Sequence, residues 1–320
     1  MQNYAKILTV IDPAATSHPC LERAAWLAEK QNAELELLVC SYNEYLSGTR
    51  LYDSRSLAIA REEFQADHLR VLEQLAEPLR QRVKVVRTAT RWDHPLHEGV
   101  VRHALESKSD LVLKDVEEHS AIANALFSNT EWNLIRTCPV DLWLVKPRPM
   151  AEHPVILGAI DPMNEHDKPA ALDDKILQRC NQLAKVSGGA AHAFHAYDPR
   201  AAIATATANA YIPVSLPLDE IEEQTRESHG KRFSEICDFH GFDDAHAHLV
   251  SGLTHQELPA LADEIKADVV VMGAVARNAL QRLFIGATAE RTLARLPCDL
   301  LILKPDWFRT PVERKNPGHD

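Results

Sequence analysis

"LFSNTEWNLIRTCPVDLWLVKP" at 126–147 and "FIGATAERTLARLPCDLLILKP" at 284–305 are the two stretches that decide the fold. Laid over one another at an offset of 158 residues, they align Thr130 with Thr288, Pro139 with Pro297, Asp141 with Asp299 and Lys146–Pro147 with Lys304–Pro305. The same offset sets "DLVLK" (110–114) on "DVVVM" (268–272). Each half also opens alike, with "ILTVIDP" at 7–13 and "VILGAIDP" at 155–162. A repeat of roughly 150 residues signals domain duplication and is too long for a solenoid. Clustered prolines in "KPRPMAEHP" (146–154) mark the join. The expected division is a first domain over 1–148, a second over 153–305 and a C-terminal tail over 306–320.

Within each copy, apolar runs alternate with segments of helical period. Runs at 7–11 and 155–160 are followed by helical patterns at 20–31 and 170–187, then by runs at 34–40 and 190–196. Long amphipathic stretches follow at 57–80 and 219–240; in the first, Phe64, His68, Val71, Leu72, Leu75 and Leu79 recur at helical spacing. Strand, helix, strand, helix and strand then close the first unit at 83–89, 95–107, 110–114, 121–137 and 141–146, with an echo in the second half. Continuous apolar strands separated by helices mean a parallel sheet covered on both faces. The fold class is therefore α/β, with two tandem doubly wound five-stranded parallel-sheet domains. Such domains hold ligands at the carboxyl ends of their strands. Asp12, Asp161, Lys114–Asp115 and Gly273 all sit at those ends.

Composition narrows the function. A net charge of −11 with no basic run opposes direct binding to nucleic acid or an anionic membrane surface. No apolar stretch is long enough for membrane insertion, and the N-terminus "MQNYAKILTVIDP" runs almost directly into a strand without a signal-peptide pattern. Six cysteines stand singly, which argues against a disulfide or zinc framework and for a cytoplasmic location.

The segments "VIDP", "DLVLK", "TEWNLIRTCPVDLWLVK", "FIGATAER" and "CDLLILKPDWFRTPVE" resemble the universal stress protein family in its tandem-domain form, over nearly the whole chain. That resemblance implies an adenine nucleotide alpha hydrolase-like fold and a cytoplasmic stress-response role that includes tolerance of DNA-damaging conditions. It also implies an intramolecular pseudo-dimer of the two halves, with a homodimer as a further form. Nucleotide-binding members carry an aspartate ending the first strand, which meets adenosine, and the pattern G-x2-G-x9-G-[ST], which surrounds the phosphates. Carried onto the second half, the pattern assigns Asp161, Gly273, Ala276, Arg277, Gly286, Ala287 and Thr288 as the ligand set for ATP or AMP. Ala276 replaces a glycine and Ala287 a hydroxyl residue, while Thr288 keeps a hydroxyl one place later and Arg277 and Arg282 bring positive charge.

Alanine at a position needing a left-handed backbone costs on the order of 1 kcal/mol, and a lost hydrogen bond about the same. The two changes together weaken a phosphate site by about ten- to a hundredfold. In the first half the pattern falls on Asp115, Glu118 and Ser128, with Glu117 alongside. Carboxylates there would repel a triphosphate by several kcal/mol, so no nucleotide is expected in the first domain.

Other features read more plainly. Asp-Pro at 12–13 is a turn starter, and "SGG" (187–189) suits a helix end. "HAFH" (192–195) and "HAH" (246–248) have metal-like spacing, but residues 192 and 195 point to opposite faces of a strand and no third ligand accompanies them; no metal is assigned. No GxSxG elbow is present, and no catalytic residue is assigned. "PRAAIATATANAYIPVSLPL" (199–218) is too apolar for a solvated linker and should pack on something. Three readings follow: a non-enzymatic stress scaffold or sensor, an ATP/AMP binder with slow ATPase activity in the second domain, and a binder of an amphipathic, acyl-type metabolite near 199–218.

Overall fold

A computed structural model of the chain describes residues 3–47, 54–116, 128–163, 171–200, 218–274, 292–293 and 295–314. Two compact units emerge, one formed by Ala151–Pro305 and the other by Gln2–Met150 together with Asp306–Asp320.

The first unit in chain order runs β1 (Lys6–Val10), α1 (Pro19–Gln31), β2 (Glu34–Ser41), α2 (Ser54–Leu79), β3 (Val86–Trp92), α3 (Leu96–Ser107), β4 (Leu111–Asp115), α4 (Asn129–Thr137) and β5 (Asp141–Val145). All its strand pairs are parallel, in the order β3-β2-β1-β4-β5. The order reverses beside β1, and that is where the topology opens a crevice. The second unit runs β6 (Val155–Ala159), α5 (Ala171–Ser187), β7 (Ala190–Tyr197), α6 (Leu218–His240), β8 (Ala247–Ser251), α7 (Thr254–Glu264), β9 (Val269–Gly273) and β10 (Asp299–Leu303). Its parallel order, β8-β7-β6-β9-β10, repeats the first. Both sheets are the five-stranded doubly wound kind that the repeat implies.

The aligned aspartates do the same work in each copy. Asp110 Oδ2 accepts the backbone N–H groups of Ala5 and Lys6 at 2.7 and 2.9 Å. Asp268 accepts from Ala151 and Val155 at 3.2 and 3.0 Å. Each carboxylate thereby ties the entry of the first strand to the foot of the fourth. The residues two before them, Lys108 and Lys266, both end a helix in the left-handed region, with φ of 55°.

Central strands carry apolar runs because helices cover both faces: Ile7, Leu8, Leu111, Val112, Leu113, Leu142 and Trp143 are buried in the first unit, and Ile156, Leu157, Val269, Val270 and Val271 in the second. Two boundaries differ from the sequence pattern. Of the helix expected at 121–137, residues 121–127 lie outside the described residues, Ser128 is an extended cap and Asn129 is the first helical residue. The run expected at 83–89 begins as a strand only at Val86 and continues to Trp92. The Val83 N–H donates to Leu79 O at 2.8 Å, so this buried valine closes the end of α2. After β10 the chain returns to the first unit, where Arg102 Nε donates to Glu313 O at 2.8 Å while both guanidinium contacts to Asp93 measure 2.9 Å. Among the described residues no helix is long and apolar enough to cross a membrane.

Candidate functional site

In the first domain the strand ends are occupied by the protein's own charges. Asp12 lies exposed just past β1, and its Oδ1 accepts the Ala14 N–H at 2.9 Å, an Asx turn. Asp115, ending β4, turns inward. Its Oδ1 accepts the Cys20 N–H at 2.7 Å, in the first turn of α1, where backbone donors attract an anion. Burial raises the Asp115 pKa, and the same burial, with Asp115 beside it, pushes the Cys20 thiol well up. Lys114 Nζ bonds Asp115 O at 3.0 Å and pairs with the buried Glu131 carboxylate, whose other oxygen caps α4 through the Ser128 N–H at 2.5 Å. Glu117 and Glu118 lie outside the described residues.

The second domain ends its strands differently. Gly273 stands where the first domain has Asp115. A Cβ on Gly273 would come 2.5 Å from Leu172 Cδ2 and 3.0 Å from its Cγ, so the residue must be small for α5 to lie against β9. No left-handed backbone is involved. A glycine at 273 thereby permits close strand–helix packing.

Asp161 lies two residues past β6 and is partly exposed; its N–H donates to the buried Asp173 carboxylate on α5 at 3.3 Å. Beside it the Ile160 carbonyl meets His195 Nδ1 at 3.2 Å, and His195 Nε2 meets His229 Nδ1 of α6 at 2.7 Å. The two imidazoles stack with centroids 5.0 Å apart, and the Tyr197 ring lies 5.5 Å from His229. Burial lowers the His229 pKa, and the negative charge of Asp161 opposes that shift. Asp161, His195 and His229 thus gather at one strand end. Ala276, Arg277, Arg282, Gly286, Ala287 and Thr288 lie outside the described residues, as does 201–217 of the apolar loop.

The histidine motifs separate by face, as strand geometry requires. His192 joins His248, Nδ1 to Nε2 at 2.9 Å, and its ring lies 4.7 Å from that of His246. Burial, with His246 and His248 adding to it, holds His192 down at about 4. Among the described residues no group of three or more His, Cys, Asp or Glu is arranged to hold a metal. "SGG" ends α5: Gly188 has φ of 69° and the Gly189 N–H donates to Ala184 O at 3.0 Å. The His195–His229 pair is the feature that sequence reasoning missed. Strand alternation separates residue 195 from residue 192, but nothing local links 195 to a helix position 34 residues on.

Comparison with known proteins agrees with this architecture. A model of the universal stress protein family matches residues 3–146 and again 156–304. Universal stress protein E of Salmonella typhi is 28% identical over 319 residues, covering 98% of both chains. The Escherichia coli K12 protein of the same name gives the same figures. A crystal structure of a Pseudomonas aeruginosa protein named for the same family superposes with a TM-score of 0.72 at 25% identity, covering 95% of this chain and 94% of that one.

Proposed function

The chain belongs to the universal stress protein family, and on that premise we propose that it works as a cytoplasmic stress-response scaffold and sensor without a catalytic cycle of its own. Its first domain is structural. Its second domain is a weak adenine-nucleotide site, with Asp161 as the anchoring carboxylate.

The observation that carries this reading is the asymmetry between Asp115 and Gly273. The Asp115 carboxylate accepts the Cys20 N–H at the start of α1, where a phosphate would otherwise find a donor. At the matching position the second domain has no side chain to do so. Two acidic groups, Asp161 and Asp173, lie together past the end of β6, the Asp161 N–H donating to Asp173 at 3.3 Å. They suit the donor groups of a nucleoside better than its phosphates.

Equilibrium dialysis of the full chain against labelled ATP and AMP tests the proposal. Retention in the millimolar to high micromolar range should fall at least about tenfold in Asp161→Ala and stay unchanged in Asp12→Ala. The combination A276G and A287S should strengthen it. Retention that survives Asp161→Ala but is lost with Asp12→Ala would reverse the assignment of domains, and no retention at millimolar nucleotide would remove the nucleotide reading. The stress role has its own test. A strain lacking the gene should survive DNA-damaging treatment less well and recover with the full chain; equal survival would refute it.

A further inference from the structure

The match to the family ends at residue 304, and the chain beyond it does not stay with the second domain. From Asp306 onward it belongs to the first unit, which it had left after Met150. Residues 306–314 form neither helix nor strand, so side chains must hold them in place. Phe308 and Val312 are each 8% exposed, whereas the neighbouring Trp307 is 44% exposed. Arg309 Nη1 folds back on the Asp306 and Phe308 carbonyls, both at 3.0 Å, and the Val312 N–H donates to Thr310 Oγ1 at 3.2 Å. These local bonds shape the segment, and burial of the phenyl and isopropyl groups fastens it. Its polar seat is the buried Arg102 of α3. Nη1 meets both oxygens of the buried Asp93 carboxylate at 2.9 Å, and Nη2 pairs with Glu98. Asp93 also accepts Arg91 Nε at 3.2 Å and the His94 N–H at 2.9 Å, which fixes the guanidinium from the β3 side. The remaining edge of the fork, Nε–H, donates to the Glu313 carbonyl at 2.8 Å.

Any residue can supply a main-chain carbonyl, and the Glu313 side chain is exposed, so Arg102 reads the path of the segment and not the identity of residue 313. Selectivity lies in Phe308 and Val312. We propose that Asp306–Arg314 is a detachable strap that masks a peptide site on the first domain. The occupant already seated defines the ligand: an irregular peptide with phenylalanine and valine four residues apart and a carbonyl one residue beyond. The strap contributes no strand or helix to the unit, so it can lift without breaking the sheet or its covering helices. Openings of that size lie well below global unfolding in free energy. Lifting it uncovers the seats of two apolar side chains and the Nε–H of Arg102, which Asp93 and Glu98 keep in position for the next carbonyl.

Hydrogen exchange of the full chain, read by mass spectrometry over 306–314, tests the detachment. The strap should be protected, and low urea should leave its exchange unchanged while speeding that of β1 and β4. Exchange should be at least about tenfold faster in the double variant Phe308→Ala, Val312→Ala. It should also rise in Arg102→Lys, which keeps the charge but loses the fork, and stay unchanged in Glu313→Ala, which keeps the carbonyl. Fluorescence anisotropy of a labelled peptide spanning 306–314 tests the site. The double variant, its own strap released, should bind this peptide at least about tenfold more tightly than the unaltered chain does, and a peptide carrying both alanines should bind neither. An unprotected strap, strap exchange that rises with urea in step with β1 and β4, or a peptide that favours neither chain would overturn the inference. Circular dichroism checks that the variants fold; if the double variant does not, the urea dependence of the unaltered chain decides alone.

Discussion

Replacing Gly273 with alanine separates a glycine kept for packing from one kept for a phosphate. The new methyl would stand 2.5 Å from Leu172 Cδ2, whereas ordinary contacts begin at 3.4 Å, so Leu172 must retreat by roughly 1 Å. Leu172 is 1% exposed and has little free space to enter. Overpacking of this kind costs about 1–3 kcal/mol, and the lost flexibility of the unfolded chain offsets about 0.4–1 kcal/mol of it. A net loss of about 1 kcal/mol is expected in the second domain. Leu172→Ala alone should cost about 2–5 kcal/mol, but in the double variant the methyl occupies part of the vacated space. The double variant should therefore be more stable than the sum of the single changes by about 1–2 kcal/mol.

Urea unfolding followed by circular dichroism at 222 nm measures this. All five tryptophans, at 26, 92, 132, 143 and 307, lie outside Ala151–Pro305, so their fluorescence serves as an internal control for the first unit and should not move. Strict additivity would refute the packing account. So would a Gly273→Ala chain that is as stable as the original yet loses nucleotide retention.

Two further outcomes follow from the same geometry. Glu131→Ala removes the carboxylate that Lys114 meets in the interior and the cap of α4, and should destabilise the first domain by about 3–5 kcal/mol in urea unfolding. Adding Lys114→Met, the residue at the aligned position 272, should recover most of that loss, and no recovery would show that the ion pair is not the reason. Acid should weaken the second domain over a defined window. The folded His192 is held at about 4 against an ordinary 6.5, so below 6.5 the unfolded chain binds more protons, and stability falls until the pH passes about 4. His229 and His248, also held low, act in the same direction. In His192→Gln the slope of unfolding free energy between those limits should be shallower, and an unchanged slope would contradict the assignment.

Residue pattern alone determined the duplication, the five-stranded alternation of each copy and the strand ends at which Asp12, Asp115, Asp161 and Gly273 stand. Those properties are written in periodicity and offset, which survive without any knowledge of what packs on what. The roles of the same residues were not legible there. Asp12 and Asp161 follow matching strands with the same dipeptide, yet the carboxylate of one caps its own turn, whereas the charge of the other acts on His229. Asp115 reads as a charge that repels phosphate, and only in three dimensions does it become the anion that holds α1. Gly273 fits a nucleotide pattern on paper, but its neighbour Leu172 lies 101 residues earlier in the chain. His195 and His229 meet across 34 residues through a strand–helix contact that no local spacing encodes. Short-range order follows from backbone and hydrophobic period. What a side chain does follows from distant atoms brought within a few ångströms of it, and only the tertiary structure decides those.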